Sequence, residues 1–62
     1  MIGAKDTIKK GAVNDLYCDS TADIPDLEQF GRDHNFSMGS SCYCIDNGSL
    51  YMMKSDFSWK KQ

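Results

Sequence analysis

The sequence predicts a mostly β domain: a small antiparallel β-meander of three to four strands with an Asn-Gly hairpin, one short helix and an extended N-terminal arm. Three observations lead there. Two runs of strand formers, Ser41-Cys42-Tyr43-Cys44-Ile45 and Leu50-Tyr51-Met52-Met53-Lys54, flank Asn47-Gly48. That dipeptide is the strongest short-range hairpin signal, because a type I′ turn needs positive φ at both central residues. Pro25 stands between Asp23-Ile24 and Asp26-Leu27-Glu28, the pattern of a first helical turn. A chain of 62 residues holds one domain, at a size where only about 60% of the unfolded surface is buried.

Residues 1–12 show no clear periodicity. Ile2 and Ile8 are their large aliphatics, and Gly3 and Gly11 interrupt the run. They are read as an N-terminal arm, and residues 13–62 as the β-rich domain. An unanchored terminus is the plain reading; docking of Ile2 and Ile8 on a neighbouring subunit is the functional one. Val13-Asn14-Asp15-Leu16-Tyr17-Cys18 reads as a first strand, with Val13, Asp15 and Tyr17 on one face and Leu16 and Cys18 on the other. A turn then opens a helix over about residues 25–31. Pro25 fits only its first turn, Asp23 is the expected N-cap, Leu27 and Phe30 share a face, and Gly31 is a stop signal.

The meander follows as strands near 40–45, 49–54 and 57–61, with turns at Asp46-Asn47-Gly48 and Ser55-Asp56. This register puts Cys42, Cys44, Leu50 and Met52 on one face and Tyr43, Ile45, Tyr51 and Met53 on the other. Both faces are apolar, whereas antiparallel sheets commonly keep one face in water. The helix covers one. The other is either covered by the arm and the Phe36–Met38 loop or is a protein-binding surface, since Tyr, Trp and Met are enriched in interfaces. Tyr43, Tyr51, Met53 and Trp59 on the sheet, with Ile2 and Ile8 in the arm, are the candidate contact residues.

Charge narrows the partner. The formal net charge is −2, with lysines gathered at both ends and Asp15, Asp19, Asp23, Asp26, Glu28 and Asp33 in the middle. An acidic stretch of this kind reads as a solvated face. It argues against nucleic acid, which needs clustered Lys and Arg. No run approaches the roughly 18 apolar residues of a membrane span, and the first residues lack the apolar run of a secretory signal. Seven aromatic residues argue against disorder throughout.

The three cysteines, Cys18, Cys42 and Cys44, are an odd number and a poor disulfide framework. They suit reduced thiols in a cytoplasm, with a Cys18 disulfide to Cys42 or Cys44 as the alternative. Together with His34 they would supply four zinc ligands. Yet Cys-x-Cys on a strand holds its sulfurs roughly 6.6 Å apart, which two Zn–S bonds of about 2.3 Å do not span without a bend. No cofactor or metal is expected. No catalytic residues stand out either. His34 has no local partner that makes it a general base, the carboxylates beside Pro25 are explained by the helix start, and Ser37-Met38-Gly39-Ser40-Ser41 lacks the lysine and helix of a phosphate loop.

Asp19-Ser20-Thr21-Ala22-Asp23-Ile24-Pro25, then Met38-Gly39-Ser40-Ser41-Cys42-Tyr43-Cys44-Ile45-Asp46-Asn47-Gly48-Ser49-Leu50-Tyr51, then Trp59, resemble a pattern found in small structural proteins of tailed bacteriophages. It comprises a strand, an aspartate–aliphatic–proline turn, a Gly-Ser lead into a hairpin, an Asp-x-Gly turn, a Tyr on the return strand and a terminal Trp strand. The resemblance covers residues 13–62; the pattern usually carries aliphatics where Cys42 and Cys44 stand. It implies a non-enzymatic virion protein, capsid-associated or decorating, docked in many copies on the major shell protein and assembled in the bacterial host cytoplasm. A neck, tail or baseplate accessory subunit is the alternative within that class. A small phage or bacterial regulatory binding protein is the alternative outside it. In each case the isolated chain is expected to be marginally stable, with amide protection centred on the Tyr43–Tyr51 hairpin.

Overall fold

The computed structural model describes residues 1–62. Strands β1 (Ile2–Ala4), β2 (Asp15–Cys18), β3 (Ser41–Cys44), β4 (Ser49–Met53) and β5 (Trp59–Lys61) form one sheet in that spatial order. A 3-10 turn at Thr21–Asp23 leads into helix α1 (Ile24–Asp33), which lies between β2 and β3 in the chain. The protein is mostly β with one short helix, as the strand-former runs and Pro25 require.

The sheet is mixed rather than purely antiparallel. β2 and β3 run parallel, pairing Leu16 with Cys42 and Cys18 with Cys44, while the other three pairs are antiparallel. The cause is the connection through residues 19–40: its helix returns the chain to the end of the sheet where β2 began, which only a long crossover can do. The first residues also differ from an extended arm. Ile2–Ala4 pair antiparallel with β2 in the register Ile2–Cys18, Gly3–Tyr17 and Ala4–Leu16. Ile2, Ala4 and Ile8 pack against the core. Their apolar side chains are thus spent against the core.

Helix α1 runs past Gly31, which lies buried in its last turn. The chain leaves the helix at Asn35, whose φ of 51° is left-handed. The Phe36 N–H then donates to Gly31 O at 2.9 Å and the Asn35 N–H to Arg32 O at 3.2 Å. These two bonds satisfy the terminal carbonyls in the manner usually associated with glycine, a role Asn also fills. Phe36 folds back edge-on to Phe30, with ring centroids 5.8 Å apart. Asp23 precedes the helix, but its carboxylate makes no capping bond. It accepts instead from the Met1 amine at 2.6 Å and the Ser20 N–H at 3.4 Å. The amine contact holds it below the usual carboxylate range.

The hairpin loop is four residues long, Ile45-Asp46-Asn47-Gly48, one more than the expected Asp46-Asn47-Gly48 turn, and it is not of type I′. Gly48 has a φ of 68° and donates to Cys44 O at 2.9 Å, while Asn47 Oδ1 accepts from the Ser49 N–H at 3.0 Å. Taking Ile45 out of the strand shifts the pairing by one residue. Cys42 faces Tyr51, and Tyr43 faces Leu50. Because side chains alternate, such a slip exchanges the two faces of the return strand. Tyr51 and Met53 lie on the inner face with Cys42 and Cys44, and Leu50 and Met52 lie outside with Tyr43.

The core sits between the inner face and α1. It comprises Leu16, Cys18, Leu27, Phe36, Cys42, Cys44 and Met53, with Ile24, Phe30, Tyr51, Phe57 and Trp59 packed around them.

Candidate functional site

The outer face of the sheet has no cover. Register places its side chains in two cross-strand rows: Gly3-Tyr17-Tyr43-Leu50 and Asp15-Ser41-Met52-Lys60. Tyr17, Tyr43 and Leu50 are 37%, 43% and 40% exposed. Their inward neighbours Leu16, Cys18, Cys42 and Cys44 are at most 1% exposed, so one strand pair carries a dry side and an open apolar side. Gly3 seats the end of the first row. A Cβ there would stand 2.5 Å from Tyr17 Cζ, so only glycine lets the tyrosine ring lie across the edge strand.

The six candidate contact residues separate under this geometry. Tyr43 alone is on the open face. Met53 is 2% exposed, and Tyr51, Trp59, Ile2 and Ile8 pack against the core. Trp59 also keeps its indole N–H buried without an acceptor. Tyr17, Leu50 and Met52 are the open-face residues that were not singled out from sequence. Tyr17 was already legible from its alternation with Leu16 and Cys18; Leu50 and Met52 needed the loop length.

The zinc set does not assemble. Cys18, Cys42 and Cys44 are wholly buried and free of disulfides. His34 lies elsewhere, at the end of α1, with Nδ1 2.9 Å from Phe30 O and its ring against Phe30 and Phe36. No group of three or more His, Cys, Asp or Glu side chains has an arrangement that holds a metal ion. Burial, reinforced by hydrogen bonding to Cys42, pushes the Cys18 thiol up to about 12, and burial raises Cys42 as well. Both remain protonated thiols, which are poor nucleophiles and poor ligands.

One shallow depression occurs, about 90 Å³ between Asp6, Thr7, Lys9, Val13, Asn14 and Asp15. Small-molecule sites enclose about 300–1,000 Å³ and are mostly apolar; this one is neither. Asn14 is in any case occupied by its own loop: Oδ1 accepts from the Lys9 N–H, and Nδ2 donates to Lys9 O and Ala12 O, each at 2.9 Å. No helix is long and apolar enough to cross a membrane. Comparison with protein-family models, curated proteins and solved structures finds no match to this chain.

Proposed function

We propose that this chain is a non-enzymatic structural subunit that buries the open face of its sheet against a protein neighbour. In this reading the assembly is the virion of a tailed bacteriophage, and the chain decorates the major shell protein in many copies after assembly in the host cytoplasm. The observation that supports an interface is the uncovered row of Tyr17, Tyr43 and Leu50 on a sheet whose other side is already dry. Contiguous exposed apolar surface of this kind marks association sites, and aromatic residues with Met favour them. The virion assignment rests on the resemblance carried by residues 13–62. High copy number suits a small contact, since avidity multiplies weak affinities. A neck, tail or baseplate position calls on the same surface chemistry.

Mass spectrometry of purified particles tests the assignment. Hundreds of copies per particle support a shell position, and a number near the symmetry of a ring supports neck or baseplate. Absence from particles overturns the virion reading and favours a regulatory binding protein. Incorporation of Tyr43→Lys at the wild-type level overturns the choice of face.

A further inference from the structure

We propose that the neighbour covering the open face is a second copy of this chain, related by a two-fold axis that runs between β3 and β4 within about 15° of the strand direction. The inference rests on reading that face as an interface, and it names the occupant. The unit that joins an assembly is then a dimer.

The charges of the face carry the argument. Asp15 on β2 and Lys60 on β5 stand three strands apart in one row, Asp15-Ser41-Met52-Lys60, with Lys5 beyond Asp15 at the sheet edge, its N–H donating to Asp15 O at 3.1 Å. Neither belongs to an ion pair within the chain. Asp15 accepts only from Ser41 Oγ, at 2.8 Å, which leaves capacity on its carboxylate. In a two-fold contact each residue pair occurs twice with its partners exchanged. An axis between β3 and β4 lays Asp15 of each copy over Lys60 of the other. The same operation lays Tyr43 over Leu50 and Ser41 over Met52. A face that is apolar over β3 and β4 and oppositely charged on β2 and β5 is complementary to itself without any adjustment of register, and Lys5 falls outside the overlap because β1 has no strand opposite it.

Sheet-stacking geometry permits this. Stacked sheets lie about 10 Å apart with strands rotated by about 30°. β2 and β5 stand about 7 Å from the axis at the usual strand spacing, so rotation displaces their ends by roughly 4 Å, within reach of a lysine side chain. The area fixes the strength. The broad side of the molecule measures 28 × 22 Å, so each copy offers at most about 600 Å², below the roughly 800 Å² per partner of standard stable interfaces. The dimer is therefore reversible and concentration-dependent.

Sedimentation equilibrium of the full chain over a wide concentration range tests the proposal. The expected mass rises from one chain to two and stops. Asp15→Lys and Lys60→Asp each place two like-charge pairs in the interface and weaken dimerisation about tenfold or more. The double variant carrying both exchanges recovers close to wild-type dimerisation, which a contact with an unrelated partner would not produce. Circular dichroism confirms that these exposed substitutions leave the fold intact. A single-chain mass at every concentration overturns the proposal, as does growth past two chains or a double variant no tighter than the single ones. If the chain stays monomeric while Tyr43→Lys abolishes incorporation into particles, the interface reading survives and the second copy does not. If the charge exchange rescues dimerisation but particles lack the chain, the dimer stands and the virion assignment falls.

Discussion

Gly31 of α1 meets Met53 of β4 so closely that a Cβ on the glycine would stand 3.1 Å from the Met53 Sδ. Phe57 and Phe36 close the same space at 3.6 and 3.7 Å. Glycine inside a helix costs about 1 kcal/mol relative to alanine, but here it sets the distance between helix and sheet. Gly31→Ala is expected to destabilise the protein by about 1 kcal/mol, because overpacking costs of about 1–3 kcal/mol outweigh the helix gain. In a Met53→Ala background the same change becomes stabilising by up to about 1 kcal/mol, since the obstruction is gone. Urea unfolding of the four proteins of this cycle measures the change of sign. A stabilised Gly31→Ala single variant would contradict the spacing.

Asn14 and Ser40 hold the two loops that lead into β2 and β3. The Asn14 N–H donates to Ser40 Oγ at 3.1 Å, and Ser40 Oγ donates to Ser37 O at 2.9 Å, both residues being buried. With the three side-chain bonds of Asn14 to Lys9 and Ala12, this is the only polar cluster in the domain's interior. Asn14→Leu leaves the Lys9 N–H without a partner, at about 1–3 kcal/mol, and removes one of the two bonds at Lys9 O and at Ala12 O, which keep the Ala12 and Ser37 N–H groups at 3.3 and 3.0 Å. The expected loss is about 2 kcal/mol, with Ser40→Ala losing about half as much. Hydrogen exchange should show the Lys9 amide deprotected in Asn14→Leu, and a protected Lys9 amide in that variant would disprove the anchor.

The strand-former runs and the Pro25 helix were legible because they depend on local chemistry. What was not legible depends on distant partners. Ile2–Ala4 is too short to show a period, and becomes a strand only because β2 offers it a free edge. The parallel pairing of β2 with β3 follows from the crossover and leaves no mark in either strand. Asn47-Gly48 located the hairpin but not its loop length, and one residue in that loop decided which of Leu50 and Tyr51 faces inward. For the same reason the open face was expected, but only Tyr43 of its residues was chosen. Gly31 read as a stop because its contact with Met53 lies outside any sequence window.

The register makes Tyr43 and Tyr51 respond oppositely to mutation. Tyr43 is on the open face, 43% exposed, so Tyr43→Lys should change stability by no more than about 0.5 kcal/mol while abolishing association. Tyr51 packs against the core opposite Cys42. Tyr51→Ala is expected to cost about 3 kcal/mol, near the low end for loss of a large core side chain. A melt of each variant, paired with its sedimentation profile, separates a binding defect from a folding defect. Equal stability losses at the two positions would mean that the faces are assigned the wrong way round.

The buried thiols give the protein an alkaline limit. Cys18 titrates near 9.0 when unfolded and at about 12 when folded, with burial the leading cause and Cys42 the next. Between those values the unfolded chain loses a proton that the folded chain keeps, so stability present below pH 9 declines as pH rises toward 12. Burial raises Cys42 in the same direction. Lysines and tyrosines also ionise in this range, so the informative quantity is the difference from Cys18→Ala. That variant starts less stable by about 1 kcal/mol, from the lost packing of a buried sulfur, but falls off less steeply above pH 9. The same burial governs reactivity. At neutral pH an alkylating reagent reaches Cys18, Cys42 and Cys44 only when the sheet opens, so intact-mass analysis should record three adducts in denaturant and slow, concerted modification without it. A decline above pH 9 that runs parallel in the wild type and Cys18→Ala would show that the limit comes from groups other than this thiol.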